Sequence, residues 1–426
     1  MVAATMVAVS LILFVVAIAT LWWMMHAWRT PETLASTKFA EADGACTFSF
    51  SLLVPARHEQ AVLRHTIGRL LESTHEKYEI IIIVGHDDPG TMRTANRLAA
   101  RNSDRVGVVV DTNEVKNKPK ALNTALPYCQ GDIVGIFDAE DQVHPELLKH
   151  VDYAFRTADA DVVQGGVQLL NYHSSWYSLR NCMEYFFWFR SRLHLHAQKG
   201  FIPLGGNTVF VQTKILRMVG GWDPDCLTED CDLGVRLSSM GARVVVAYDS
   251  LMVTKEESPA SLHSLFRQRT RWNQGFLQVL YKKDWHDLLT FRQQMLAFFT
   301  LATPFLQAFA GFAIPVGIAI AIFLRVPIVV AMISFLPAIP TIGILAFETV
   351  GLHDFARQYG LHVRFIHYLK LIIGAPFYQI ILMAAAVRAV WREGTGRRDW
   401  ELTRHVGAHL TLADASQLPG AQKGVA

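Results

Sequence analysis

The sequence predicts an α/β domain built on a mostly parallel sheet, with transmembrane helices before and after it. Three observations lead there. Short β-branched runs alternate with helix-like stretches between about residues 48 and 167. Nearly unbroken apolar segments stand at the start of the chain and again beyond residue 290. Of 426 residues, 51% are hydrophobic and 18% charged, at the apolar edge of what soluble domains use.

The first element is residues 2–26, which carry no acid, Lys or Arg and have about the length a bilayer-spanning helix needs. Trp22, Trp23 and Trp28 form an aromatic belt and Arg29 a positive flank, which predicts an outside N-terminus and a cytoplasmic domain after it. A cleaved signal would have a basic leader and a shorter apolar core, so the segment reads as an anchor. Apolar runs return near 297–323, 327–350 and 366–390. Pro304, Pro315, Pro337, Pro340 and Pro376 interrupt them, as spanning helices tolerate when neighbours satisfy the freed carbonyls. Three further spans would carry the tail outside, yet Arg388, Arg392, Arg397 and Arg398 belong on the cytoplasmic side. One C-terminal segment is therefore expected to be interfacial or re-entrant.

The expected organisation is an anchor at 1–28, a cytoplasmic domain at 45–285, interfacial and transmembrane helices at 291–392 and a polar tail at 393–426. The whole would be a multi-pass protein of the cell (plasma) membrane. A net charge of +3 with no basic block gives no reason to expect nucleic acid as a partner. Cys46, Cys129, Cys182, Cys226 and Cys231 include no CxxC pair and read as thiols of a reducing cytoplasm.

Within the central domain, strands are expected at 48–54, 78–84, 106–111, 132–137 and 161–167, and helices at 58–72, 91–100, 120–128 and 145–156. In such sheets ligands sit beyond the carboxyl ends of the strands. The first strand runs into Pro55-Ala56-Arg57-His58-Glu59, and the second into Gly85-His86-Asp87-Asp88-Pro89-Gly90. The third ends at Asp111, with Lys118-Pro119-Lys120-Ala121-Leu122-Asn123 after it, and the fourth runs into Asp138-Ala139-Glu140-Asp141. Each of these alone would serve as a turn or helix cap. Four successive strand ends bearing acids or bases point to a site.

Asp138, Glu140 and Asp141 place carboxylates close together, where they repel unless a cation lies between them. Oxygen donors of this kind suit Mg²⁺ or Mn²⁺ held together with substrate phosphates. Thr228-Glu229-Asp230 opens a helix after Gly220-Gly221-Trp222-Asp223-Pro224. Thr228 reads as its N-cap, with the acids favouring the first turn, and Asp230 could also take a proton from an acceptor hydroxyl. In Gln268-Arg269-Thr270-Arg271-Trp272, residues 268, 271 and 272 share a helix face that suits a diphosphate and a stacked sugar ring. The same face would also serve as an interfacial anchor. Gly205-Gly206-Asn207 is a turn where backbone could approach a ligand closely.

With these residues in view, the chain resembles the membrane-bound family 2 glycosyltransferases, which include cellulose, chitin and hyaluronan synthases. PARHE, KPKALN, FDAED, PLGGN, GGWDP, TEDCDLG and QRTRW carry the resemblance, in motif order from about Leu52 to Leu280. It implies a GT-A fold and an inverting displacement on a nucleotide sugar, a UDP-sugar by preference, with a divalent metal as cofactor. Carried over, Asp87 or Asp88 matches the acid near the nucleotide, and Pro55 to Glu59 and Lys120 lie where the family contacts nucleotide and phosphates. Asp138 and Glu140 match the metal-binding DxD, Asp230 the base, and Gln268, Arg271 and Trp272 the QxxRW motif. Lys118, Glu229, Gly205, Gly206 and Asn207 join the site as neighbours of these motifs. The sequence departs from the family in writing DAED, so that Glu140 or Asp141 is the second ligand, and in writing His86-Asp87-Asp88 where an acid–acid–glycine turn is usual. Trp400, Thr403, His405 and Gly407 give the tail the look of exopolysaccharide-type relatives.

The resemblance implies a growing β-linked polysaccharide as acceptor, with one sugar added to a lipid as the alternative. A homo-oligomer or an export partner would then be needed to handle a polymer. Stretches around 176–189 and 291–303 are expected to lie on the membrane surface and feed a lipid or glycan acceptor. A different class, a transporter or scaffold with an inactive domain, would call for charges within the spans, and only Glu348, Lys370 and Arg388 stand near their ends.

Overall fold

The computed structural model describes residues 2–38, 46–324 and 326–399. Among these residues nine strands form: β1 Phe50–Ala56, β2 Tyr78–Gly85, β3 Val106–Asp111, β4 Ile133–Ile136, β5 Val162–Gly165, β6 Val167–Leu169, β7 Val209–Gln212, β8 Val244–Ala247 and β9 Thr254–Glu256. Seven make the central sheet, in the order β3-β2-β1-β4-β7-β5-β8. All of its pairings are parallel except those of β7, which runs antiparallel to both β4 and β5. The sheet is thus mixed. β6 and β9 form a separate parallel ribbon.

Both faces of the sheet are buried, which explains the continuous apolar runs. Leu52, Val54, Ile80 and Ile82 point to one core, against Leu63 and Ile67 of helix Leu63–Leu71 and Val151 and Phe155 of helix Leu147–Ala158. Their alternates Leu53, Ile81 and Ile83 point to the other, with Leu122, Leu233 and Leu237. That is the period of two expected of strands.

Most expected boundaries fall within about two residues, and two elements depart further. The helix expected from residue 58 begins only at Leu63. His58 takes φ +61°, and its amide donates to Asp88 Oδ2 at 2.6 Å, so the chain turns there instead. The strand expected over 161–167 breaks at Gly166, and the chain passes from the central sheet to the ribbon. A Cβ at Gly166 would stand 2.8 Å from Val253 and 2.9 Å from Tyr248, which is why glycine occupies the crossing.

Among the described residues, four helices are long and apolar enough to cross a membrane: Val2–Met24, Thr303–Phe323, the run Ile328–Gln358, and Phe365–Gly394. Val2–Met24 meets the third of these where Leu21 approaches Gly343, and just beyond it Trp28, in the short helix His26–Arg29, packs edge-on against Phe347 at 4.9 Å. The last helix has two unlike faces. Leu371, Gly374, Tyr378, Leu382 and Ala386 are buried, while Ile373, Phe377 and Ile380 are exposed. It touches the α/β domain at both ends. Near its start, Arg180 Nη1 donates to Leu371 O, and near its end Arg392 Nε donates to Gln274 Oε1 at 2.9 Å.

The stretch expected on the membrane surface at 176–189 is instead largely interior. Helix Trp176–Phe187 buries Leu179, Cys182, Met183 and Phe186 against Leu352, Phe355 and Leu371. Helix Phe291–Leu301, the other such stretch, exposes Phe291, Met295 and Phe298 and buries Ala297 and Leu301.

Candidate active site

The strand ends converge on one large cavity of ≈ 920 Å³ that runs from the α/β domain in among the apolar helices. Pro55, Ala56, Arg57 and Glu59 enter it from the end of β1. Asp111 enters from the end of β3, with Lys118 from the helix Lys118–Ala125. Asp138 and Glu140 enter from the loop after β4. Gly205, Gly206 and Asn207 line it, as do Glu229 and Asp230 at the start of helix Glu229–Ser239. Gln268, Arg271 and Trp272 come from helix Leu262–Lys282. Most of the residues expected at a site are therefore gathered on one surface.

Four are not. Asp87 is exposed and paired with Arg57 at 3.0 Å, outside the cavity lining. Asp88 is buried as the N-cap of helix Pro89–Arg101, accepting from Thr91 N and His58 N. Burial works against its charge, but those bonds win and hold its carboxyl below the usual range. Lys120 lies off the cavity, whereas Lys118 enters it. Asp141 stands behind the wall: it accepts from Asp138 N at 2.8 Å and from Asn207 Nδ2 at 3.1 Å. Burial, then Glu256, Asp138 and Glu140, push Asp141 well above the ordinary carboxylate range. Asp138 and Glu140 are the acids of this loop that reach the cavity.

Their chemistry fits a hard divalent cation. Two carboxylates are typical for Mg²⁺ held jointly with phosphates, and Asp138 and Glu140 both line the cavity. Among the described residues no three His, Cys, Asp or Glu side chains form a closed metal cage. Asp138 is ion-paired with Lys118, whose Nζ also donates to Gly206 O at 2.7 Å. Burial opposes the charge on Lys118, but Asp138, Glu229 and Asp230 outweigh it and hold the ammonium above its ordinary range.

Asp230 is held from two sides. Its Oδ1 accepts from Cys231 N at 2.7 Å. Gly206 leaves room for the other oxygen, since a Cβ there would stand 3.1 Å from Asp230 Oδ2. Burial raises the Asp230 carboxyl, while Cys231 N, Lys118 and Arg271 oppose the rise. Glu229 is raised as well, by burial and by Asp230. Thr228 occupies the cap position, but its hydroxyl makes no capping bond and is buried without a partner.

The turn bearing these acids rests on helix Leu262–Lys282. Leu227 N donates to Gln278 Oε1 at 2.8 Å, and a Cβ at Gly275 would lie 2.4 Å from Thr228. On the other side, Gly234 fits against Ile202 O, so the glycine turn and the acid-bearing helix dock on each other. Gln164 ties that turn from β5: its Oε1 accepts from Gly205 N at 2.8 Å and its Nε2 donates to Asn207 O at 3.1 Å. Gln268 Oε1 is buried without a partner. The Trp272 ring has Arg269 at 4.6 Å and Tyr185 at 6.4 Å.

Sequence reading missed Gln164, Tyr185 and Glu256. No motif marks them, and they reach the site only through pairings distant in sequence. Asp111 carried a signal, an acid ending a strand, and it does line the cavity. Trp400, Thr403, His405 and Gly407 lie outside the described residues.

Acids and cations thus gather at the carboxyl ends of a mixed sheet, with a buried carboxylate facing them. The family described as glycosyltransferase like family 2 matches residues 48–275, and the chain belongs to it. It is 31% identical over 256 residues to the beta-monoglucosyldiacylglycerol synthase of Nostoc sp. (strain PCC 7120), covering 58% of this chain and 53% of that one. It is 28% identical over 255 residues to the poly-beta-1,6-N-acetyl-D-glucosamine synthase of Staphylococcus aureus, covering 57% and 58%. The chain thus spans about half the length of the curated relatives it matches. Among solved structures, the mannosyltransferase PcManGT from Pyrobaculum calidifontis, in complex with GDP-Man and Mn²⁺, aligns with TM-score 0.60 at 19% identity, over 91% of this chain and 99% of that one. The fold is shared with that enzyme.

Proposed function

We propose that this chain is an inverting glycosyltransferase that moves a sugar from a nucleoside diphosphate sugar, a UDP-sugar, to a hydroxyl of a membrane lipid. The cavity carries this reading. At one end it is lined by Asp138, Lys118, Asp230 and Arg271, and at the other by Ile12, Leu13, Val16, Phe309, Ile314 and Ile344 of the apolar helices. From Thr20 to Ile12 the lining descends along one helix by about 12 Å at 1.5 Å per residue. A slot of that kind suits acyl or prenyl chains and leaves the lipid's polar end beside Asp230.

In the proposed reaction Asp230 accepts the proton of the acceptor hydroxyl as its oxygen attacks the anomeric carbon. The new C–O bond forms on the face opposite the breaking bond to the diphosphate, which leaves with the electron pair. The configuration inverts. Lys118 and Arg271 place positive charge where the leaving group gains negative charge. A divalent cation on Asp138 and Glu140 would supply further neutralisation of the diphosphate. Trp272 and Tyr185 offer flat faces to a sugar ring.

We read the helices Val2–Met24, Thr303–Phe323 and Ile328–Gln358 as crossing the bilayer, and Phe365–Gly394 as lying along its cytoplasmic surface. The two unlike faces of that last helix, and its attachment to the α/β domain at both ends, support this. It returns Arg392, Arg397 and Arg398 to the cytoplasmic side, as the positive-inside rule asks.

A growing β-linked polysaccharide is the second reading, favoured by the Tyr185–Trp272 pair and by the similarity to the poly-beta-1,6-N-acetyl-D-glucosamine synthase. The test is a panel of radiolabelled UDP- and GDP-sugars with the full chain in lipid nanodiscs and Mn²⁺ or Mg²⁺. A labelled product that partitions into organic solvent is the expected result. A long aqueous product would replace it with the polymer reading, and no transfer from any donor would overturn both.

A further inference from the structure

The helical run from Trp176 to Gln198 carries three arginines at the seam between the α/β domain and the apolar helices. Two of them have anions. Arg180 meets Glu348 at 2.7 Å, and Arg190 meets Asp354 at 2.6 Å. Arg192, at the end of the π-helical turn Trp188–Arg192, makes no ion pair or hydrogen bond among the described residues, and its Nε is buried without a partner. Its guanidinium is flanked by the indoles of Trp23, at 4.9 Å, and Trp188, at 5.0 Å. His196 lies beside both indoles, and burial and Arg192 keep its ring uncharged.

Arg192 is half-buried, and a cation so placed without an anion carries a desolvation cost that indole faces offset only in part. Burial alone draws Arg192 down to about 10, so it keeps its charge at neutral pH. Arg192 lines the same cavity as Asp230, where Trp23 meets Phe299 edge-on at 5.2 Å and Thr303 begins the second apolar helix. Trp23 ends the first apolar helix and Thr303 begins the second, so on the reading that both cross the bilayer Arg192 stands at headgroup depth. A planar fork of donors at that depth matches a phosphate. Single-turn π insertions of this kind are frequent at functional sites.

We propose that Arg192 binds the phosphate of the acceptor lipid, so that the acceptor is a phosphate-bearing lipid and not a neutral one. The phosphate rests against Arg192, the chains enter the slot lined by Val16 and Phe309, and the remaining polar end faces Asp230. This rests on the reading of the acceptor as a lipid.

The test uses the full chain in a neutral detergent, with dioctanoyl phosphatidic acid, dioctanoylglycerol and inorganic phosphate as probes and native mass spectrometry as readout. The phosphatidic acid should bind about ten- to a hundredfold more tightly than the glycerolipid, the range a charge-assisted hydrogen bond supplies. Arg192→Gln should lose that preference and Arg192→Lys keep part of it, while both retain the wild-type melting temperature and UDP affinity. If Arg192→Gln fails to fold, the comparison of wild type with Arg192→Lys decides: an unchanged preference in Arg192→Lys, which loses the fork, overturns the proposal. Equal affinities in the wild type, or a preference that survives Arg192→Gln, would also overturn it. Inorganic phosphate displacing the lipid at equal concentration would make the site one for free phosphate. Arg192-dependent binding with no sugar transfer to any lipid would remove the acceptor reading and leave the anion site standing.

Discussion

Asp230 shows how a single carboxylate is tuned. Burial raises it, and Lys118 and Arg271 partly offset the rise. A general base works only when ionised, so turnover should fall as pH drops through a pKa above that of an exposed aspartate. Arg271→Gln removes a cation that favours the ionised form, so the acid limb of the kcat/KM profile should move to higher pH. A limb that stays in place would show that Arg271 does not reach the base. Asp230→Asn should lower turnover by about 10²–10⁴-fold with nucleotide affinity retained. Near-normal turnover in that variant would transfer the role to Glu229.

Among the elements, the contact between the turn at Thr228 and helix Leu262–Lys282 decides whether the acids are placed at all. Gly275→Ala would set a methyl group 2.4 Å from Thr228, an overpacked contact that should cost about 1–3 kcal/mol. The expected result is a lower melting temperature together with lost turnover, and unchanged values of both would mean that the helix yields. The strands up to residue 167 and the helices between them were legible in the sequence because both faces of the sheet are buried and the apolar runs record it. β7 and β8 were not read at all, since each is only four residues long and so short an apolar run does not by itself declare a strand. Nor could adjacent acids be told apart. Glu140 faces the cavity and Asp141 backs it because Asn207, well over sixty residues away in the chain, claims the Asp141 carboxylate. Motifs marked the acids of the site, while braces such as Gln164 depended on the tertiary structure.

For the molecule as a whole, the continuity of the cavity links membrane and chemistry. Ala310 lines its apolar end, so Ala310→Trp should block lipid entry and abolish transfer while UDP binding persists. Unimpaired transfer onto lipid would mean that the acceptor takes another route. The placement of helix Phe365–Gly394 along the surface can be checked by protease protection of a C-terminal tag in sealed inside-out vesicles. The tag should be cleaved together with the α/β domain, and protection of the tag alone would make that helix a fourth crossing.

The pair Arg180–Glu348 joins residues 168 positions apart in the chain. During synthesis at 5–20 residues per second, Arg180 therefore waits roughly 10–30 s for its counter-ion. For that interval Phe186, Leu179 and Met183 also lack the Leu352, Phe355 and Leu371 that later cover them. The nascent protein carries an uncovered apolar flank until the segment from Leu352 to Leu371 has left the ribosome. Synthesis is thus a stage at which this fold offers apolar surface to aggregation.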